Sequence, residues 1–158
     1  MDKVFPKANE IDTTCAFDIV LGHSQGAILM AALLSLHEKL WDASGPSGYI
    51  LNGCAWPNPY SNSLLSITDR RQRSGTFDSL PRIIFVMGAE DSINPIDSAL
   101  QVHDAYFAAD FDVSIVNHGG GHSVPVGRDE DSERALEEVV DWIVEIAKQK
   151  ALQLTNYI

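Results

Sequence analysis

The extended apolar run Phe17-Asp18-Ile19-Val20-Leu21 leads straight into Gly22-His23-Ser24-Gln25-Gly26, and a helix-like apolar segment, Ala27 to Leu40, follows without a break. A chain that passes from strand to helix in so few residues is confined to folds in which a helix packs back onto the sheet its strand belongs to. Such a turn holds its central side chain on a strained backbone, and glycine two positions to either side removes Cβ atoms that would collide there. Ser24 is therefore expected to stand exposed at the C-terminal end of the strand, with the N–H groups after it directed at whatever it attacks. The plain alternative is a glycine-rich strand-to-helix connection with an incidental serine, which demands nothing of the rest of the chain.

The nucleophilic reading does make a demand. A serine hydroxyl is a weak nucleophile until a base takes its proton, and the base needs a carboxylate to orient it, in the chain order Ser, acid, His for this architecture. Arg82 to Gly88 reads as a buried strand, and the loop after it, Ala89-Glu90-Asp91, supplies Asp91 as the orienting acid. Asp97 falls in the first turn of a helix expected to begin at Pro95 with Asn94 as its cap, where a carboxylate complements the helix dipole. That helix is expected to carry Leu100, His103 and Phe107 along one side.

A further strand, Val113 to Val116, runs into Asn117-His118-Gly119-Gly120-Gly121-His122-Ser123-Val124-Pro125, where three glycines and a proline oppose regular structure. His122 is the expected base, one ring nitrogen reaching Ser24 and the other Asp91. His118 is read as capping a turn. A zinc site at His118 and His122 is set aside because the glycines between them prevent an aligning helix, no glutamate intervenes, and both cysteines are distant in sequence.

These motifs resemble the serine hydrolases of the α/β-hydrolase superfamily grouped as the fungal family of serine hydrolases and its ovarian-cancer-associated homologues. The likeness is carried by Phe17 to Ala27, by Leu80-Pro81 leading through a strand to Gly88 and Asp91, and by Gly120-Gly121-His122-Ser123-Val124-Pro125. It implies a three-layer α/β-hydrolase fold with a mostly parallel sheet, Ser24, Asp91 and His122 as a catalytic triad, and cleavage of carboxylic esters with short to medium acyl chains through an acyl-enzyme. Two other readings stay open: an acyl-protein thioesterase or lysophospholipase-like carboxylesterase, which shares the Ser-Gln elbow, and a catalytically impaired remnant that acts by binding. At His23 such relatives more often carry an aromatic residue.

Only 23 residues precede Ser24, whereas members of that family reach the nucleophile after several strands and helices. The expectation is an N-terminally truncated domain lacking the loop that would give a second oxyanion-hole N–H. The Gln25 N–H is then the remaining donor, and one donor fewer costs on the order of 100- to 1000-fold in rate. The elbow strand would also lie at an unpaired sheet edge, a surface through which a second copy could pair.

Other segments fit one partial domain over residues 1–158, with 45% hydrophobic residues for its core. Ala27 to Leu34 is apolar nearly all round, as for a helix buried behind the elbow, and Tyr49 to Gly53 reads as a short buried strand. Ala135, Leu136, Val139, Val140, Ile143 and Ile146 recur at helical spacing opposite Glu137, Glu138, Asp141 and Glu145. Residues 54–80 interrupt the strand–helix alternation and are expected to be a lid or pocket wall, or simply a surface excursion. Trp56 and Pro57, with His23, are the candidate substrate contacts, while Arg70, Arg71 and Arg73 read as a solvated face.

A formal net charge of −11 opposes nucleic acid and anionic membrane as partners and suits a neutral or cationic small ester or thioester. No apolar run approaches the ~20 residues of a membrane span, and residues 1–14 lack a secretory core, so the expectation is a cytoplasmic protein. Cys15 and Cys54 would sit at opposite ends of the sheet and are read as unbridged packing residues. The chemistry requires no cofactor.

Overall fold

In the parallel sheet, side-chain alternation sends successive residues of each strand to opposite helical layers, so strands covered on both faces are apolar throughout. The computed structural model describes residues 18–41, 45–58, 60–74 and 80–155. Within them, β1 (Ile19–His23), β2 (Gly48–Asn52), β3 (Arg82–Gly88) and β4 (Val113–His118) pair in the order β1-β2-β3-β4, every pair parallel. The helices are α1 (Gln25–Leu36), α2 (Ser61–Leu65), α3 (Ile67–Ser74), α4 (Ile96–Phe107) and α5 (Glu130–Thr155).

Tyr49 and Leu51 of β2, with Ile83, Phe85 and Met87 of β3, face one core shared with Ala27, Leu34, Val102 and Tyr106 of α1 and α4. Ile50, Ile84 and Val86 face the other, against Ala135, Val139, Trp142 and Ile146 of α5. Helices thus cover both faces of the sheet, the three-layer α/β arrangement.

Several expectations shift against this frame. The helix after the elbow stops at Leu36, because His37 adopts an extended backbone and a single 3₁₀ turn, Glu38–Leu40, replaces the last helical turn. Nor is α1 enclosed: Ala27, Ala31, Ala32, Leu34 and Ser35 are buried, whereas Leu29, Leu33 and Leu36 are exposed on its outer side. Helix α4 starts at Ile96 with Pro95 before it, since the Asn94 side chain donates to Gly53 O instead of capping the helix. Its buried face is Ala99, Val102 and Tyr106, one residue round from the expected one, because the Tyr106 hydroxyl donates to Ala31 O across the core and Phe107 is left exposed.

Strand β4 runs two residues past Val116, its last residue paired with Gly88 of β3. On α5, Leu136 and Val140 are exposed and Trp142 takes their place in the core. Within 54–80, residues 61–74 form α2 and α3, with Leu64 and Ile67 in the core and the Arg70 guanidinium donating to Ser63 O; this part is a packed layer rather than a loop. Residue 59 and residues 75–79 of the segment, and Cys15, lie outside the described residues. No helix among the described residues is long and apolar enough to cross a membrane.

The two elbow glycines differ in kind. A Cβ at Gly22 would stand 2.8 Å from the Ala27 backbone nitrogen, whereas one at Gly26 would meet nothing within 4 Å. Gly22→Ala is expected to lower stability by about 1–3 kcal/mol through overpacking against helix backbone. Gly26→Ala, at an open helical position, should leave stability unchanged or raise it by up to about 1 kcal/mol. Urea unfolding midpoints of the two variants check this.

Candidate active site

Ser24 is the single residue between β1 and α1. Its N–H donates to Asn52 O at 2.9 Å, its own carbonyl accepts the Ile28 N–H at 3.1 Å, and between these two anchors its backbone sits at φ 55° and ψ −121°. A non-glycine residue at positive φ is strained and persists only where its surroundings hold it, a condition met most often at functional sites.

Because the strands are parallel, the chain leaves β3 and β4 at the same edge. After Gly88 a tight turn brings Asp91 back, its N–H donating to Gly88 O. Asp91 Oδ1 accepts the N–H groups of Ile93 (2.9 Å) and Asn94 (2.8 Å), which shapes the loop into α4, and Oδ2 lies 2.7 Å from His122 Nδ1. His122 Nε2 lies 2.7 Å from Ser24 Oγ. An ionised carboxylate only accepts, so the proton of a neutral His122 is on Nδ1 and its Nε2 lone pair accepts the Ser24 hydroxyl proton.

The Asp91 side chain is 2% exposed and that of His122 13%. Burial alone would raise the Asp91 pKa, but the Asn94 N–H, the His122 ring and the Ile93 N–H together outweigh it and hold the carboxyl below the ordinary aspartate value. The group therefore stays charged wherever the protein is folded near neutrality.

Two residues that sequence reasoning passed over form the floor of this arrangement. Gly53 follows β2 at φ +58°, and a Cβ there would lie 3.1 Å from His122 Cε1 and 3.2 Å from its Nδ1. The Asn52 amide donates to His23 Nδ1 (2.7 Å) and to Ser123 O (3.3 Å), tying the serine turn to the histidine loop. The available signal was the Asn-Gly pair closing a buried strand between two strands that both end in candidate site residues.

Gln25 is the first residue of α1, so its N–H is one of the opening groups for which a helix has no internal acceptor. The His23 ring lies 5.1 Å from that of His122 and lines, with it, a cavity of about 480 Å³. Trp56 and Pro57 are not among the residues lining that cavity: Pro57 is buried, and Trp56 packs at the edge of the core with its backbone N–H donating to Ser98 Oγ. His118 Nδ1 accepts the Gly120 N–H, a turn-capping contact. Asp97 is exposed in the first turn of α4. Burial pushes the Cys54 thiol up to about 12, which keeps it neutral.

The profile of a family described as Serine hydrolase (FSH1) matches residues 8–134. A comparison with curated proteins gives no match. Among solved structures, the propionate-bound esterase Est2 of Thermogutta terrifontis superposes with a TM-score of 0.54 at 22% identity, covering 81% of this chain and 55% of its own. MGS-M1, an alpha/beta hydrolase from a Medee basin deep-sea metagenome, gives 0.56 at 17% identity over 81% and 53%. The Bacillus cereus carboxylesterase gives 0.52 at 16% identity over 81% and 49%. The likeness at these identities is one of fold, and the chain spans about half the length of these structures.

The lowered pKa of Asp91 sets a direction for acid sensitivity. A carboxyl with a depressed folded-state pKa contributes stability that is fully present above its unfolded value, near 3.8, and is lost as pH falls through the folded value. Asp91→Asn is expected to be less stable than the parent at pH 7 and to close that gap below about pH 4, as read from urea midpoints across pH.

Proposed function

The chain belongs to the FSH1 serine hydrolase family, and from that membership we propose that it cleaves carboxylic esters of short to medium acyl chains through an acyl-enzyme formed on Ser24. One observation carries the reading: the unbroken hydrogen-bond chain from Ser24 Oγ through the His122 ring to Asp91, each link 2.7 Å long. As Ser24 Oγ bonds to the acyl carbon, its proton passes to His122 Nε2. The resulting imidazolium then protonates the departing alkoxide or thiolate as the carbon–leaving-group bond breaks. Water, deprotonated by the same nitrogen, releases the acid and restores Ser24.

Asp91, held ionised, keeps the ring in the tautomer this cycle starts from and offsets the imidazolium charge. The Gln25 N–H, at the positive end of α1, is the proposed oxyanion donor. No step calls for a metal or an organic cofactor. A short acyl group agrees with the propionate held by the Thermogutta fold neighbour, and the net charge of −11 favours a neutral or cationic substrate. We also propose that the side of β1 left unpaired among the described residues is where a second copy would pair, and that the protein, with Cys54 unbridged, works in a reducing, cytoplasmic setting.

A fluorophosphonate probe is expected to label the protein at Ser24 and to leave Ser24→Ala unlabelled. Hydrolysis of p-nitrophenyl butanoate should fall by about 10⁴-fold or more in Ser24→Ala and by roughly 10³- to 10⁴-fold in Asp91→Asn. Gly53→Ala, by displacing the His122 ring, should cost about 10- to 100-fold. A folded parent protein that neither takes the probe nor turns over ester would refute the proposal.

A further inference from the structure

The cavity beside the reacting groups is one-sided. Its walls include His122, His23, Ser123, Val124, Arg128 and Asp129, and Ser24 is not among them. In the cycle above, the group that needs a proton from His122 is the one that departs, so it must lie on the imidazole's side of the acyl carbon. The space bordering His122 but not the nucleophile is the space that group would occupy.

His23 brings a directed donor to that space. The Asn52 amide N–H donates to His23 Nδ1 at 2.7 Å, which makes Nδ1 the acceptor and places the proton of the neutral ring on Nε2. The edge carrying Nε2 is turned away from Asn52, and it has no partner among the described residues. The ring is exposed, lines the cavity and lies 5.1 Å from that of His122. Asn52 also holds Ser123, which lines the cavity too, through its carbonyl. The donor is thus fixed in both tautomer and direction before anything binds, the condition under which a hydrogen bond discriminates between ligands.

Charge narrows the ligand. Arg128 and Asp129 both line the cavity, so a single fixed charge on the ligand gains from one and is opposed by the other. The chain's net charge of −11 adds a general penalty for anions. A neutral, oxygen-bearing group fits better than a charged one or a plain hydrocarbon.

Resting on the hydrolase reading, we propose that this cavity receives the leaving alcohol or thiol of the substrate and that His23 Nε2–H donates to an ether, hydroxyl or carbonyl oxygen carried by it. His23 is then a specificity residue for the leaving group, and esters of oxygenated alcohols are the preferred class.

The test compares 2-(2-methoxyethoxy)ethyl butanoate with n-heptyl butanoate, which share an acyl group and a leaving-group length and differ by ether oxygens in place of methylenes. Intrinsic reactivity cancels when the ratio of their kcat/KM values is compared between variants. His23→Phe keeps a ring against His122 but removes the donor, and is expected to lower the ratio about tenfold. His23→Gln, which returns an N–H near the Nε2 position, should stay within about threefold of the parent. A ratio that is the same in the parent and in His23→Phe overturns the assignment. A second measurement separates this from failure of the hydrolase reading: in Ser24→Ala, titration with diethylene glycol monomethyl ether should shift the ¹⁵N resonance of His23 Nε2. That shift without ester turnover by the parent would fault the reaction and keep the site, and turnover without the shift would fault the site.

Discussion

One buried carboxylate, that of Asp91, sets the chemistry of this sheet edge. Because it only accepts hydrogen bonds, every neighbour of its two oxygens must be a donor. Oδ1 gathers the Ile93 and Asn94 N–H groups and so folds its own loop, while Oδ2 takes the Nδ1 proton of His122 and so leaves Nε2 as the acceptor for Ser24. A loop conformation, a tautomer and the direction of the hydrogen bond from Ser24 to His122 follow from a single charge. Desolvation works against that charge, and the three donors together outweigh it. The histidine is therefore both held by the carboxylate and part of what makes the carboxylate tenable.

The sheet explains why these groups meet at all. Parallel pairing sets His23 beside Asn52, Asn52 beside Val86, and Gly88 beside His118, so four strands finish along one line and their loops share a small volume. Crowding there is relieved by missing atoms. Gly53 lets the His122 ring lie against backbone, and Gly22 lets the strand enter the turn without striking α1. The main chain of Asn52 accepts from Ser24 while its side chain reaches His23 and Ser123, so the end of β2 couples the Ser24 turn to the His122 loop.

What the sequence disclosed follows the same logic. Ser24, Asp91 and His122 could be read because each follows a strand-like run at a loop whose composition announces it, and β3 was legible to the residue because a strand covered on both faces is apolar without interruption. Asn52 and Gly53 could not be read that way, since their roles arise from register neighbours far apart in the chain. Periodicity placed the inner side of α4 one residue away from the observed face: Leu100 and Phe107 satisfy the spacing as well as Val102 and Tyr106 do, and a tertiary bond from the Tyr106 hydroxyl to Ala31 decides between them. Trp56 and Pro57 were read as substrate contacts from composition and from their place just after a strand end; Trp56 lies at the core edge, Pro57 is buried, and neither lines the cavity beside His122.

The site is also lopsided in a way that bears on its chemistry. Among the described residues β1 is paired on one side only, so Ser24 follows an edge strand while Asp91 and His122 follow strands deeper in the sheet or at its far side. The histidine side is walled by the loop after β4 and the start of α5, and the cavity lies there. Exposed apolar side chains lie on β1 and α1, namely Leu21, Leu29, Leu33 and Leu36. On the proposed reading, a leaving group would depart into built structure, whereas charge developing on the carbonyl oxygen would be met, among the described residues, by the opening N–H groups of α1. Gln25 is exposed, so its N–H would act in a higher effective dielectric than a donor enclosed by the cavity walls.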